Sequence, residues 1–136
     1  MAARFLARGP RTDAEVRQKL EGMGWSPEAV ERTLARCREL GWVNDAVLAE
    51  DRARALRKRG SGSLKIAAEL EGRGVAASLV EAAVEESRDG ESEATWARRA
   101  LDDAGVVVAP TPKAWRLLAG RGFAEEVVTE VLGQLG

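Results

Sequence analysis

Histidine and tyrosine are absent from this 136-residue chain, and cysteine occurs once. Without histidine the chain has no Ser-His or Cys-His nucleophile pair and none of the usual zinc sites, and without tyrosine it lacks a further general acid. A lone cysteine forms no internal disulfide, which favours a reducing, cytoplasmic compartment. No apolar run approaches the roughly 20 residues of a membrane span, and residues 1–11 have no apolar core long enough for a secretory signal. We therefore expect no membrane association.

Charge is unevenly distributed, although the formal net charge is only −1. Residues 1–74 contain 15 Lys and Arg against 11 Asp and Glu, which is a net charge of +4. Residues 75–136 contain 6 Lys and Arg against 11 Asp and Glu, which is a net charge of −5. A basic half beside an acidic half indicates a polar partner surface with both signs, or nucleic acid bound at one end. The alternative is a solvated surface whose charge is merely uneven.

Good helix formers dominate the sequence, and signals for helix ends separate its periodic segments. Residues 12–15 (Thr-Asp-Ala-Glu) fit a capping box, and Ser26-Pro27 and Thr111-Pro112 each fit an N-cap followed by proline in the first turn. The one β-like run, residues 106–108, has no partner run, and we interpret it as a buried linker or a helix edge. The pattern predicts an all-α fold.

A leucine followed by two spaced glycines and a hydrophobic residue occurs three times. The copies begin at Leu20, Leu70 and Leu118, so they are displaced by 50 and then 48 residues, and each has the form L-x-G-x-G-hydrophobic-x4-V-x3-L/V. A fixed period of this size predicts stacked helical modules. We expect tandem three-helix repeats over residues 1–43, 44–89 and 90–136, stacked into an elongated curved array. A phosphate-loop interpretation of the glycines fails because no strand precedes them and no Gly-Lys-Ser/Thr follows.

Each repeat is expected to bury one stripe of its middle helix and one of its last helix. In the second repeat we expect helices over about residues 45–59, 63–73 and 77–87. The spacing i, i+4, i+7 is that of a helix facing a core. The predicted core residues are Val16, Leu20, Ile66, Leu70, Ala114 and Leu118 on the middle helices, and Val30, Leu34, Cys37, Val80, Val84, Ser87, Val128, Leu132 and Leu135 on the last helices.

Candidate catalytic groups are few. Cys37 lies on an apolar stripe and is interpreted as a small buried filler rather than a catalytic thiol. Adjacent acidic residues such as Glu85 and Glu86 point about 100° apart on a helix, so they indicate solvated faces. We interpret the four tryptophans as core or inter-repeat packing rather than base-stacking platforms. The sequence predicts no enzyme, cofactor, metal or small-molecule substrate; an enzyme using Lys or Glu is a remote alternative because nothing places a perturbed group in a pocket.

The basic stretch over residues 52–65 is the candidate site. On a helical projection Ala49, Ala53 and Leu56 form the apolar arc, which predicts that Arg54, Arg57 and Lys58 point to the opposite face. Arg52 and Arg59 fall near the arc, where their stems can pack while the charged heads reach solvent. Cations at a helix C-terminus also complement the helix dipole, which alone could explain residues 57–59. Together these cations suit phosphates or an acidic protein groove. The six are Arg52, Arg54, Arg57, Lys58, Arg59 and Lys65.

Three stretches of the chain resemble the RecX family. Residues 4–20 (RFLARGPRTDAEVRQKL) are similar to the family's opening pattern, in which a basic-proline turn leads into a helix with E-[LV]-R-x-K-L. Residues 39–45 (ELGWVND) resemble its E-L-G-aromatic-hydrophobic-[ND]-D junction. Residues 54–70 resemble its R-x-x-R-x-x-G-x-G-x-x-x-I-x-x-E-L segment. The resemblance covers residues 4–88 well and the third repeat more loosely.

This resemblance implies a non-enzymatic regulator of the RecA recombinase. RecX-like proteins are curved arrays of three-helix repeats that lie in the groove of RecA–DNA filaments and suppress ATP hydrolysis, strand exchange and co-protease activity. It also implies weak binding of single- or double-stranded DNA. We expect a monomer whose basic stretch contacts an acidic RecA surface or nearby DNA phosphate. The alternative is a sequence-tolerant DNA-binding protein that acts without RecA.

Overall fold

The structure, a computed structural model, describes residues 2–133, which form nine helices and no strand. The all-α prediction is confirmed, and the three helices expected in the second repeat begin where predicted and end within one residue of the prediction. In chain order the helices are α1 (Ala2–Leu6), α2 (Asp13–Gly22), α3 (Pro27–Glu39), α4 (Asp45–Lys58), α5 (Ser63–Gly72), α6 (Ala77–Ser87), α7 (Glu93–Asp103), α8 (Pro112–Gly120) and α9 (Glu125–Leu132).

The predicted helix starts are confirmed by their caps. The hydroxyl of Thr12 accepts a hydrogen bond from the Glu15 amide at 3.1 Å, and the Glu15 carboxylate accepts one from the Thr12 amide at 2.9 Å, which completes the capping box. Ser26 and Thr111 likewise cap α3 and α8, each with proline in the first turn. Local sequence therefore determines where these helices begin.

The buried side chains form three separate hydrophobic clusters, one in each consecutive set of helices. They comprise residues of α2 and α3, of α4 to α6, and of α7 to α9. The predicted core residues are buried, except that Val84 is only partly buried and Leu135 lies outside the described residues. Each set has a small core of its own, so contacts between sets must supply further stability.

The first contact between sets joins the turn after α5 to the start of α2. The Thr12 hydroxyl donates to the Arg73 carbonyl at 2.7 Å. Gly74 has a φ of +82°, and a Cβ placed there would lie 2.4 Å from the Cβ of Ala14. The Asp13 amide donates to the carboxylate of Asp45, the first residue of α4, at 2.9 Å. Glycine is required here by both the left-handed backbone and the close approach.

The second contact repeats the first with the turn after α8 and the start of α5. The amides of Gly62 and Leu64 donate to the carbonyls of Arg121 and Gly122 at 2.7 and 2.9 Å. Gly122 has a φ of +90°, and a Cβ there would lie 2.4 Å from the Cβ of Lys65. The repeats therefore stack by one recurring arrangement, in which a glycine turn seats on the preceding repeat's middle helix.

The structure corrects the interpretation of residues 106–108 as a buried segment. Val107 is 77% exposed and Val108 is 47% exposed, while only Val106 packs against the core of α7 to α9. A β-like run in a loop needs no partner strand when its side chains remain in solvent. None of the helices in the described part of the chain combines the length and the apolar composition that crossing a bilayer requires.

Candidate partner-binding surface

The end of α4 and the start of α5 present exposed cations, as the sequence predicts. Lys58, Arg59 and Lys65 are exposed, and none of them has a carboxylate within 4.0 Å in residues 2–133. Arg54 is also exposed but forms an ion pair with Asp51, one turn earlier on α4. Because three of these four charges lack an internal partner, they are available to an anionic ligand.

Arg57 corrects the prediction, because it does not point outward. Its side chain is 1% exposed and extends from α4 toward residues of α5, α6 and α7. Its guanidinium donates to the Ser87 hydroxyl at 3.1 and 3.2 Å and to the Ser63 hydroxyl at 2.9 Å. Its Nη1 lies 2.5 Å from a carboxylate oxygen of Glu93, as an ion pair without the alignment of a hydrogen bond. Arg57 is therefore a structural residue and cannot contact a partner.

Burial has an electrostatic consequence for Arg57. Desolvation lowers the pKa of its guanidinium, and the neighbouring Glu93 carboxylate opposes that shift. Arginine nevertheless remains protonated in proteins, so the site holds a buried cation that needs its carboxylate. The Glu93 carboxylate also accepts from the hydroxyl and the amide of Ser63. This cluster connects the second set of helices to α7.

Arg52 is also less available than the other cations. Its guanidinium makes two hydrogen bonds to the Glu69 carboxylate on α5, at 2.5 and 2.9 Å. The bond to Glu69 raises the pKa of Arg52, and the same bond lowers the pKa of Glu69. A bidentate pair of this kind fixes both side chains. Arg52 therefore braces α4 against α5, and an incoming anion would have to compete with Glu69.

The structure adds one cation that sequence reasoning missed. Arg121, in the turn after α8, extends a guanidinium nitrogen to 3.4 Å from the Arg59 carbonyl. The same turn packs on the start of α5, where the Leu64 amide donates to the Gly122 carbonyl. The third repeat thus places a positive charge beside those of the second. We name the surface formed by Arg54, Lys58, Arg59, Lys65 and Arg121 the basic corner. The equivalence of the glycine turns is the signal that could have located Arg121.

A groove of about 830 Å³ lies beside the helix α4, and we name it the Trp42 groove. Trp42 is 51% exposed on its wall, which corrects the prediction that this tryptophan packs in a core or junction. The neighbouring Val43, 5% exposed, takes the buried position instead. The groove is lined by Pro10, Arg11, Gly41, Trp42, Asn44, Val47, Leu48, Asp51, Arg52, Ala55, Glu69 and Arg73.

The other tryptophans and the cysteine occupy protected positions. Trp25, Trp96 and Trp115 pack against the hydrophobic clusters, and the indole of Trp96 donates to the Arg88 carbonyl at 2.8 Å. Cys37 is 2% exposed, and burial raises the pKa of its thiol despite the nearby charge of Arg38. A buried thiol with a raised pKa is a poor nucleophile. In the described residues no cluster of three or more His, Cys, Asp or Glu side chains is arranged for a metal ion.

Residues 1–37 match the family description "RecX, first three-helix domain", and residues 44–84 match "RecX, second three-helix domain". The regulatory protein RecX of Chromohalobacter salexigens is 33% identical over 133 residues, which cover 96% of this chain and 88% of that protein. This chain belongs to the RecX family. The regulatory protein RecX of Deinococcus radiodurans is 37% identical over 134 residues and covers 94% of this chain, which spans 64% of that relative's length.

The fold of the RecX family is confirmed by a solved structure. RecX from Lactobacillus salivarius superposes with a TM-score of 0.75 at 20% sequence identity, covering 98% of this chain and 91% of that one. At this identity the likeness concerns the fold alone. Together with the matched domains it confirms an all-helical protein built from tandem three-helix units, and the family is one of regulatory proteins.

Proposed function

We propose that this RecX family member binds RecA and RecA–DNA filaments through the basic corner and inhibits recombinase, ATPase and co-protease activity. Membership of a family of regulatory proteins supports a binding rather than a catalytic role. The single observation that carries the site is the group of exposed cations without carboxylate partners at the junction of α4 and α5. The protein would act in the cytoplasm as a monomer without a cofactor.

The mechanism follows from differential affinity. Lys65 and Arg121 come from two stacked repeats and meet on one basic surface, and on this proposal the array docks with that surface across neighbouring RecA protomers. If the protein binds one filament geometry more tightly than another, the equilibrium between the two geometries shifts toward the one it prefers. The free energy of that shift is limited by the difference between the two binding free energies. Inhibition then needs no chemistry from this chain. It needs only that the bound filament geometry is the inactive one.

Co-sedimentation with RecA tests this proposal. Filaments formed by RecA on single-stranded DNA with ATP are pelleted in the presence of the protein, and ATP hydrolysis is measured in the same mixtures. We expect the protein in the pellet together with a dose-dependent fall in ATP hydrolysis. If it pellets equally with DNA alone and hydrolysis is unchanged, RecA is not its target.

A second candidate function is sequence-tolerant DNA binding without RecA. The unpaired charges of Lys58, Arg59 and Lys65 favour it, because phosphate contacts supply affinity for nucleic acid without reading sequence. Such binding weakens steeply as salt rises, since each phosphate contact releases a counterion. Measuring DNA affinity against salt without any partner protein separates the two candidates. Strong, salt-sensitive binding without RecA would favour the second.

A further inference from the structure

The Trp42 groove carries large apolar side chains that no part of the described chain covers. Trp42 is 51% exposed and Val47 is 50% exposed, and Leu48, which also lines the groove, is 7% exposed. Trp42 also lines a smaller adjoining hollow of about 270 Å³ against α1, so its side chain stands between two concavities. A concave surface with an exposed tryptophan and aliphatic neighbours is where binding free energy concentrates at protein interfaces.

Of the three arginines that line the groove, Arg52 and Arg73 form ion pairs and Arg11 has no carboxylate within 4.0 Å in residues 2–133, although its charge reaches Glu15. The carboxylates of the lining, Asp51 and Glu69, pair with Arg54 and Arg52 respectively. Arg73, another arginine of the lining, pairs with Glu15 at 2.8 Å.

Arg11 differs from the other arginines of the groove. Its guanidinium lies over the Phe5 ring at 4.6 Å, its Nε is buried without a hydrogen-bond partner, and no carboxylate pairs with it in residues 2–133. The buried Nε is out of reach of a ligand, but the terminal guanidinium nitrogens make no hydrogen bond within residues 2–133 and can donate to a ligand carboxylate. The groove thus combines one free cation with an apolar wall.

We propose that the Trp42 groove binds an extended segment of a partner protein in which an apolar side chain, preferably aromatic, lies next to a carboxylate. The apolar side chain packs on Trp42 and Val47, and the carboxylate accepts hydrogen bonds from Arg11. None of these residues belongs to the basic corner, so the inference goes beyond the proposed function and does not depend on it. It gives the protein a second binding surface with its own chemistry.

The charges of the groove favour a peptide over a nucleic acid. A nucleic acid strand presents a phosphate at every nucleotide. The lining offers a single unpaired cation, because Arg52 and Arg73 are already paired with Glu69 and Glu15, so it can pair with one anionic group rather than with a row of phosphates. A protein segment with one carboxylate beside an apolar side chain matches this distribution. If a second copy of this chain occupied the groove instead, the signals of the groove would change with protein concentration in the absence of any peptide.

The test uses NMR of the full chain labelled with nitrogen-15 and the peptide acetyl-Gly-Ser-Phe-Glu-Ser-Gly-amide as the probe. The indole signal of Trp42 is assigned by its loss in Trp42→Phe. We expect saturable shifts of this signal but not of the indoles of Trp25, Trp96 and Trp115. Replacing the peptide's glutamate by glutamine, its phenylalanine by alanine, or the protein's Arg11 by glutamine should each weaken binding at least about tenfold.

Matched variants keep the test specific. Leu64→Ala removes an apolar side chain that is 58% exposed elsewhere, and Arg32→Gln removes an exposed arginine of α3, so both should leave peptide affinity unchanged. The proposal is overturned if the peptide does not shift the Trp42 indole, or if the glutamine peptide binds equally well. It is also overturned if an oligonucleotide shifts that signal in place of the peptide, or if dilution alone does.

Discussion

Arg57 of α4, which is buried, and Glu93 of α7, whose side chain is 13% exposed, form an ion pair that joins consecutive repeats, with Nη1 and Oε1 2.5 Å apart. The arginine is 1% exposed, and hydroxyls of Ser63 and Ser87 satisfy its other nitrogens. A buried charge has no water to replace a lost partner, so breaking the pair leaves an uncompensated ion. The most basic segment of the sequence therefore contains one residue that holds the array together and others that are free to bind.

Arg57→Ala is expected to destabilise the protein by about 3–5 kcal/mol, because it leaves the Glu93 carboxylate and two hydroxyls without their cation. Urea unfolding followed by circular dichroism measures the change in the free energy of unfolding. Arg54→Ala, which removes an exposed arginine of the same helix, is the matched control and should cost about 0.5 kcal/mol or less. Equal losses of unfolding free energy in the two variants would contradict the structural role of the ion pair between Arg57 and Glu93.

The three glycine turns offer a graded test of how the repeats stack. Gly24, Gly74 and Gly122 all have a positive φ, but a Cβ at Gly24 would meet nothing within 4 Å. Gly24→Ala should therefore cost only the left-handed strain of about 1–2 kcal/mol. Gly74→Ala and Gly122→Ala should cost a further 1–3 kcal/mol or so, because each added Cβ would lie 2.4 Å from a side chain of the preceding repeat. Thermal and urea unfolding of the three variants would reveal this order, and equal losses would contradict the stacking.

The pair of Glu15 and Arg73 predicts a pH dependence of stability. Burial alone would raise the pKa of Glu15, but hydrogen bonds from Arg73 and the Thr12 amide and the nearby positive charges outweigh it and lower the pKa. Stabilisation by such a carboxylate is present above its unfolded-state pKa, about 4.3, and is lost as pH falls through the lower folded-state pKa. Glu15→Gln should thus be less stable than the native chain at pH 7, by about 1 kcal/mol, with the difference shrinking toward pH 3.

A matched variant separates this pair from the general effect of acid. Glu81, exposed on α6 beyond its first turn, belongs to no ion pair in residues 2–133, so Glu81→Gln should change stability little at either pH. Urea unfolding of the native chain and the two variants at both pH values gives the comparison. A Glu15→Gln deficit that is the same at pH 3 and pH 7 would contradict the role of the ionised carboxylate.

Much of the fold follows from local sequence. The caps at Thr12, Ser26 and Thr111 and the helix-facing stripes are visible as residue types at fixed spacing, because capping and 3.6-residue periodicity act within one helix. The period of the glycine turns also predicts repeats. The boundaries at residues 43/44 and 89/90 remain a prediction.

The site was less predictable, because its residues depend on contacts between repeats. The apolar residues of α4 predict that Arg57 points outward, yet it lies four residues after Ala53 and meets Glu93 from the next repeat. Trp42 and Val43 are adjacent hydrophobic residues after Gly41, and only the three-dimensional packing decides which one is buried. Arg121 joins the basic corner through a turn that is distant in sequence.

The basic corner is the central claim, and charge reversal on it is the most direct test. Lys58→Glu/Arg59→Glu/Lys65→Glu changes three exposed cations, whereas the control Arg32→Glu/Lys113→Glu/Arg98→Glu changes three exposed cations elsewhere. Circular dichroism should confirm that both variants keep the native helicity, and Arg57 is left untouched because its loss is expected to destabilise the fold.

The deciding measurement is the concentration of each variant that halves ATP hydrolysis by RecA on single-stranded DNA. We expect the control to inhibit as the native chain does. The corner variant should require at least about tenfold more protein, since it replaces attraction by repulsion at three positions. Undiminished inhibition by a folded corner variant would contradict the proposal that this surface binds the filament.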